Sequence, residues 1–161
     1  MNLKKVLDSG SVIRYHATLI DKKQDTAQHQ FGVTLILTAI YPKCSKELML
    51  YALTHDAAEI ITGDIPAPVK RANPSIKKAF DALEKQHREG ALQLSSSPFS
   101  DKDRLAIKWA DVLEGIYFTS RRVLSGDAQA IPIRDRWVEY AGSLKFLNTK
   151  ALIALEELKC L

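Results

Sequence analysis

The stretch Ser45-Lys46-Glu47-Leu48-Met49-Leu50-Tyr51-Ala52-Leu53-Thr54-His55-Asp56-Ala57-Ala58-Glu59-Ile60-Ile61-Thr62-Gly63-Asp64-Ile65-Pro66-Ala67-Pro68 decides how this chain folds. Ser45 followed by Glu47 reads as a helix start, Leu48 to Leu53 as its apolar body, and Thr62-Gly63 as its stop. One helix is therefore expected over 45–61. Pro66 and Pro68 then predict a loop over 63–68, because a proline ring fixes φ and offers no N–H to a helix. On a helix His55 and Glu59 are four apart and Asp56 and Glu59 three apart, so all three can point near one spot.

The same helical spacing runs outward in both directions. From Thr26 to Tyr41, Phe31, Val33, Leu35, Ile36 and Ile40 crowd one side, with Asp25 or Thr26 as the cap and Pro42 as the end. Beyond the loop, Pro74 suits the first turn of a helix to Gly90, along which Ile76, Phe80 and Leu83 trace a stripe. Ser95-Ser96-Ser97-Pro98 reads as a surface linker. Ser100 and Asp103 then cap a long helix through Ile107, Ala110, Leu113, Ile116 and Phe118 to about Gly126. Two further helices are expected, over 132–147 and 148–158. There is no hairpin dipeptide, no sustained period-2 alternation and no fixed repeat, so the expected fold is all-α.

Composition fits one globular domain over 1–161, with 46% hydrophobic and 26% charged residues. The longest apolar runs, such as Val33–Ile40, fall far short of the roughly 20 residues that span a bilayer. The amino terminus reaches Asp8 before a signal-type apolar segment develops, and a cytoplasmic protein is expected. Cys44 and Cys160 lack CxxC spacing and read as reduced thiols. A net charge of +4 favours an anionic partner, for which a nucleotide and a nucleic acid are the alternatives. The Lys and Arg residues form no recognition-helix cluster, which argues against nucleic acid.

Four residues stand out chemically: His29, the adjacent His55-Asp56, and Asp111 within Ile107-Lys108-Trp109-Ala110-Asp111-Val112-Leu113. Each falls in an apolar helical context, where an imidazole or carboxylate is costly unless something compensates its desolvation. A metal compensates, and a mixed His and carboxylate set suits Mn, Fe, Co, Ni or Zn while leaving positions open for water and substrate.

The set His29, His55-Asp56, Asp111, with the run His55 to Lys70, resembles the HD-domain phosphohydrolase superfamily. Within it, the chain is similar to the bacterial 5'-deoxynucleotidase branch and to compact phage hydrolases of the dATP triphosphohydrolase type, over roughly Ser11 to Ser125. The resemblance implies a compact bundle of six to seven helices, with the motif core over about 11–125 and C-terminal helices over 132–158. It implies one divalent transition metal per chain, Co, Mn or Zn, held by His29, His55, Asp56 and Asp111. Glu59 and Asp64 match family positions that orient water and handle protons. Arg14 would clamp phosphate or sugar, and Tyr15 would stack on the base where relatives carry tryptophan. Asp64-Ile65-Pro66-Ala67 would line sugar and phosphate, with Lys70 and Arg71 adding charge. Relatives form dimers or larger rings, for which helices around Trp137, Leu144, Phe146, Leu152 and Leu155 could supply an interface.

Plainer readings stand beside these. Glu59 reads equally as an exposed helix glutamate, Asp64 as a turn residue, Tyr15 as core packing, and His16 and His87 as surface or core histidines. Trp109 reads as core, and Lys77-Lys78 and Arg121-Arg122 as solvated faces. The leading functional expectation is a deoxynucleotide triphosphohydrolase giving deoxynucleoside and triphosphate, to which the short chain and positive charge lean. The alternatives are a 5'-deoxynucleotidase acting on deoxynucleoside monophosphates, a hydrolase of cyclic or signalling nucleotides, and a non-catalytic nucleic-acid-binding helical domain. With only four His, the second metal of the cyclic-nucleotide branches is disfavoured.

Overall fold

A computed structural model describes residues 1–95 and 98–161, so Ser96 and Ser97 of the expected linker lie outside the described residues. The chain is mostly helical, 68%, as the all-α expectation requires. It divides into two compact units: Met1–Thr18, Lys23–Gln30 and Thr54–Pro98 in the first, Leu19–Lys22, Phe31–Leu53 and Phe99–Leu161 in the second.

The first unit opens with α1 (Leu3–Ser9), which helical periodicity missed because seven residues hardly register a period. Asn2 caps it by accepting from the Lys5 N–H at 3.3 Å. β1 (Ile13–Arg14) and β2 (Gln24–Asp25) pair antiparallel with Arg14 opposite Gln24, a ladder too short to show alternation in sequence. β2 runs straight into α2 (Thr26–Ile40), and the Thr26 N–H and hydroxyl both donate to the Val12 carbonyl. That tether sets His29 within the opening turns of α2.

The helix expected over 45–61 is broken. α3 covers only Lys46–Ala52, capped by the Ser45 hydroxyl accepting from Leu48 N–H, and a turn through Leu53–Asp56 leads into a 3-10 segment, Ala57–Ile61. Ala57 N–H donates to the Thr54 carbonyl and Glu59 N–H to the Asp56 carbonyl, so the chain winds three residues per turn. His55 and Asp56 therefore sit in a turn rather than on a helix face, and their convergence cannot come from α-helical spacing.

The loop expected over 63–68 is also shorter. α4 (Ala67–Ala72) starts inside it, with Pro66 at the N-cap and Pro68 in the first turn, where a missing N–H costs nothing. α5 (Pro74–Gly90) follows as the spacing predicts, but its expected apolar stripe does not turn inward, since Ile76 and Leu83 are 42% and 45% exposed. Its inward residue is Arg88. The small core of this unit is Ala57, Ala58, Leu92 and Leu94, with Val6 against it.

The second unit holds the rest of α2, α3, α6 (Asp101–Leu124), α7 (Ile131–Ser143) and α8 (Thr149–Lys159). Ser100 and Asp103 form the reciprocal capping box that the sequence announces for α6. α7 ends at Ser143 rather than 147, and Asn148 then caps α8 through Ala151 N–H at 2.9 Å. The core gathers Val33, Leu37, Ile40, Leu48, Trp109, Leu113 and Ile116, and the Trp109 indole donates to the Lys145 carbonyl. Gly115 is required by packing: a Cβ there would lie 2.7 Å from Trp137 Cε2. Of the residues named for an interface, Leu155 is buried and Trp137 and Leu144 pack against this core, so only Phe146 and Leu152 stay exposed. Cys44 and Cys160 are free thiols. No helix among the described residues is long and apolar enough to cross a membrane.

Candidate active site

In the first unit three side chains meet at one carboxylate. His29, fully buried on α2, places Nε2 3.5 Å from Asp56 Oδ2, while His55 Nε2 lies 3.3 Å from Asp56 Oδ1. The two imidazole rings are 5.2 Å apart at 55°. β1 delivers Arg14 to the same place, and its Nη1 donates to Asp56 Oδ2 at 2.7 Å. Arg14, expected to face phosphate or sugar, here engages a carboxylate of the expected ligand set.

On α6, Asp111 Oδ2 accepts from Lys108 Nζ at 2.9 Å. His29 and His55 are candidate metal ligands in the first unit, and Asp111 is one in the second. Imidazole nitrogen with carboxylate oxygen is a donor set that borderline transition metals accept, so the residues present fit the metal expected from sequence.

Glu59 is not an exposed helix glutamate. It is 5% exposed, and its Oε2 is buried with no hydrogen-bond partner among the described residues. Burial, and after it the Asp56 and Asp64 carboxylates, push its pKa up to about 9 against the opposing charges of Arg14 and Lys70. A carboxyl in that state holds its proton at neutral pH. Lys70, from α4, brings Nζ to 3.8 Å from Glu59 Oε1.

Asp64 follows Gly63, whose φ of +71° suits a residue without a side chain. Asp64 Oδ2 accepts from the Tyr15 N–H at 3.3 Å. Tyr15 sits at φ +58°, a strained left-handed conformation for a non-glycine residue, and its carbonyl accepts from both Thr18 N–H and the Thr18 hydroxyl. Asp64 is thus tied to the backbone that presents Arg14 and Tyr15, with the Arg14 guanidinium 5.9 Å from the Tyr15 ring centre. Ile65 and Pro66 are half-buried and Ala67 is exposed along the same strap.

Sequence reading missed Glu84 and Arg88, both on α5. Glu84 Oε1 accepts from the Thr62 hydroxyl at 3.3 Å, and burial raises its pKa against the opposing charge of Lys70 and that hydrogen bond. Arg88 donates to both the carbonyl and the hydroxyl of Thr54. Their spacing of four beside the apolar stripe of this helix reads as a solvent-facing ion pair, so only the fold distinguishes them.

Residues 10–112 match the family described as 5'-deoxynucleotidase YfbR-like, a span that holds every site residue above. The chain belongs to this YfbR-like family. Within it, 5'-deoxynucleotidase YfbR of Escherichia coli O127:H6 (strain E2348/69 / EPEC) is 30% identical over 43% of this chain and 41% of that protein. A 5'-deoxynucleotidase of Yersinia pestis (strain Pestoides F) is 29% identical over 43% of this chain and 42% of that protein. The aligned region thus spans less than half the length of these YfbR-like relatives. Among solved structures, the fold is shared with the HD phosphohydrolase DatZ of cyanophage S-2L, bound to dA and one catalytic Zn2+ ion. The TM-score is 0.68 at 19% identity, covering 99% of this chain and 95% of that one. PH0347 from Pyrococcus horikoshii OT3 gives a TM-score of 0.70 at 22% identity, over 98% of both chains. The YfbR-like chain therefore has an HD-type fold.

Proposed function

We propose that this chain is a metal-dependent phosphohydrolase that cleaves the 5'-phosphate ester of 2'-deoxynucleoside monophosphates. The observation that carries the proposal is the approach of the buried His29 and the His55 imidazoles to the two oxygens of one carboxylate, Asp56. His29, His55, Asp56 and Asp111 would hold one divalent cation, Co, Mn or Zn. When bound, such a cation polarises a phosphoryl oxygen and lowers the pKa of a coordinated water toward neutrality.

The chain's own groups do the remaining work. Arg14 fixes the orientation of Asp56 through Nη1, and its planar guanidinium is a group suited to an anionic substrate. Glu59, desolvated beside Asp56 and Lys70, is placed to hold or pass a proton. Asp64 pins the Tyr15 backbone, and Tyr15 offers a ring face to a base. The segment Asp64–Ala67 and Lys70 receive sugar and phosphate. A cytoplasmic deoxynucleotide pool and a homo-oligomeric state complete the reading.

The family match supports the monophosphate over the triphosphate that the sequence reading put first. The dA bound to the phage protein of like fold supports a deoxynucleoside moiety in the substrate, and the triphosphate is the second reading. Product analysis decides: with Mn2+ or Co2+ and a panel of deoxy- and ribonucleoside mono- and triphosphates, nucleoside and orthophosphate should come from deoxynucleoside monophosphates alone. Nucleoside with intact triphosphate would replace this reading by the triphosphohydrolase. No release from any nucleotide, with salt-sensitive duplex binding, would point to the nucleic-acid module.

A further inference from the structure

We infer that Arg88 is a positioning residue for the His55-Asp56 pair, acting through a two-point grip on Thr54. The inference rests on the metal reading proposed above. Arg88 lies in the last turn of α5 and is 7% exposed. A guanidinium taken out of water is costly, and it persists where its donors meet well-placed acceptors. Here Nη1 donates to the Thr54 carbonyl, and Nη2 donates to the Thr54 hydroxyl at 3.1 Å. Two donors of one rigid fork on one residue fix both its position and its rotation, which a single bond would leave free.

Thr54 is the residue where this grip has consequence. It immediately precedes His55 and is itself 3% exposed. Its carbonyl also accepts from Ala57 N–H at 3.1 Å, the first of the bonds that wind the 3-10 segment. A second donor on that oxygen therefore stabilises the break in the helical path. The break leaves His55 and Asp56 in the turn between α3 and the 3-10 segment, from which both side chains approach His29.

The grip comes from a supported element. Leu92 N–H donates to the His87 carbonyl, and Leu94 N–H to that of Arg88 at 2.9 Å. Leu92 and Leu94 are in turn buried against Ala57 and Ala58 on the far side of the pair. Arg88 and the apolar seam thus clamp the segment Thr54–Ala58 from both ends. Removing the guanidinium should loosen ligand placement before it unfolds the helices, and outer partners of ligand residues are typically worth about 10–100-fold in metal affinity.

The test uses the full chain stripped of metal. Zn2+ affinity is measured by competition with a chromogenic chelator, and the visible spectrum of the Co2+ form reports ligand geometry. Circular dichroism and thermal unfolding of the metal-free protein report the fold. Arg88→Met should weaken Zn2+ binding by about 10–100-fold and alter the Co2+ spectrum. Arg88→Lys should restore part of the affinity. Thr54→Val, which keeps the carbonyl and loses the hydroxyl, should weaken binding severalfold with helical content unchanged. If Arg88→Met does not fold, the other two variants carry the test. Wild-type Zn2+ affinity and Co2+ spectrum in folded Arg88→Lys and Thr54→Val would overturn the role of Arg88. A wild-type protein that binds neither metal would overturn the metal reading beneath it, and the two failures are told apart by the wild-type titration.

Discussion

Arg14 Nη1 lies 2.7 Å from Asp56 Oδ2, and the same oxygen lies 3.5 Å from His29 Nε2. One carboxylate is therefore shared between a fixed cation of the protein and the expected place of a metal. The two side chains are 10% and 18% exposed, so the pair is largely desolvated. Breaking a fully buried pair from one side costs about 3–5 kcal/mol, and the residual exposure of Asp56 puts Arg14→Ala nearer ~2 kcal/mol. Arg14→Lys keeps the charge but not the fork and should lose less. Urea unfolding of the metal-free variants measures both, and equal midpoints for all three proteins would show that the pair contributes nothing to stability.

Metal loss should be separable from fold loss. His55→Ala and Asp111→Ala remove half-buried polar donors that belong to neither apolar core, so far-UV circular dichroism should be nearly unchanged. Bound metal by mass spectrometry should fall to background, and phosphate release should cease, as it should after chelation of the wild type. Normal turnover with stoichiometric metal in both variants would remove these residues from the site.

Glu59 tests proton handling apart from metal binding. Glu59→Gln preserves shape and the neutral state that burial favours at this position, but cannot give up or take a proton. It should lower kcat by about 10²–10⁴-fold if the carboxyl moves a proton in the rate-limiting step. Metal content should stay at the wild-type level. An unchanged kcat would leave Glu59 as a buried structural carboxyl only.

What could be read in advance follows from the range of each signal. The long helices were legible because many periods of apolar spacing agree along α2 and α6, and the Ser100–Asp103 box marks a start by local chemistry alone. α1 and the two-residue strands carry too few residues for any period. The break after α3 was hidden because Leu48 to Ile61 is uniformly helix-compatible; a guanidinium on α5, distant in sequence, competes for the Thr54 carbonyl. The same distance hid the site's second layer. His29, His55, Asp56 and Asp111 were legible as chemistry out of place in apolar surroundings, whereas Glu84 and Arg88 look like ordinary surface charges until the fold turns them inward.

Gly115 makes the close approach of α7 to α6 possible, since a Cβ would meet Trp137 Cε2 at 2.7 Å and Cδ2 at 3.0 Å. The half-buried Trp137 indole packs against the core, so it must shift to admit a Cβ, and overpacking of this kind costs about 1–3 kcal/mol. Gly115→Ala should lower the thermal midpoint even though alanine is the better helix former, a sign opposite to intrinsic propensity. Trp137→Phe in the same background should recover part of the loss. A raised midpoint for Gly115→Ala would show that the helices part without strain.

Asp127 should make part of the stability acid-sensitive. Its Oδ2 accepts from Asp21 N–H and its Oδ1 from Gln129 N–H, each at 2.9 Å. These bonds, with that from Asp21 the largest cause, hold its pKa below the ordinary carboxylate value. The folded state therefore favours the ionised form. Its stabilisation is fully present above the unfolded-state pKa of about 3.9, and is lost as the pH falls through the lower folded value. Asp127→Ala should thus lower the thermal midpoint at pH 6–7, and the gap to wild type should narrow as the carboxyl of the wild type is protonated. A gap constant from neutral pH to well below 3.9 would show that the lost contacts do not depend on the charge.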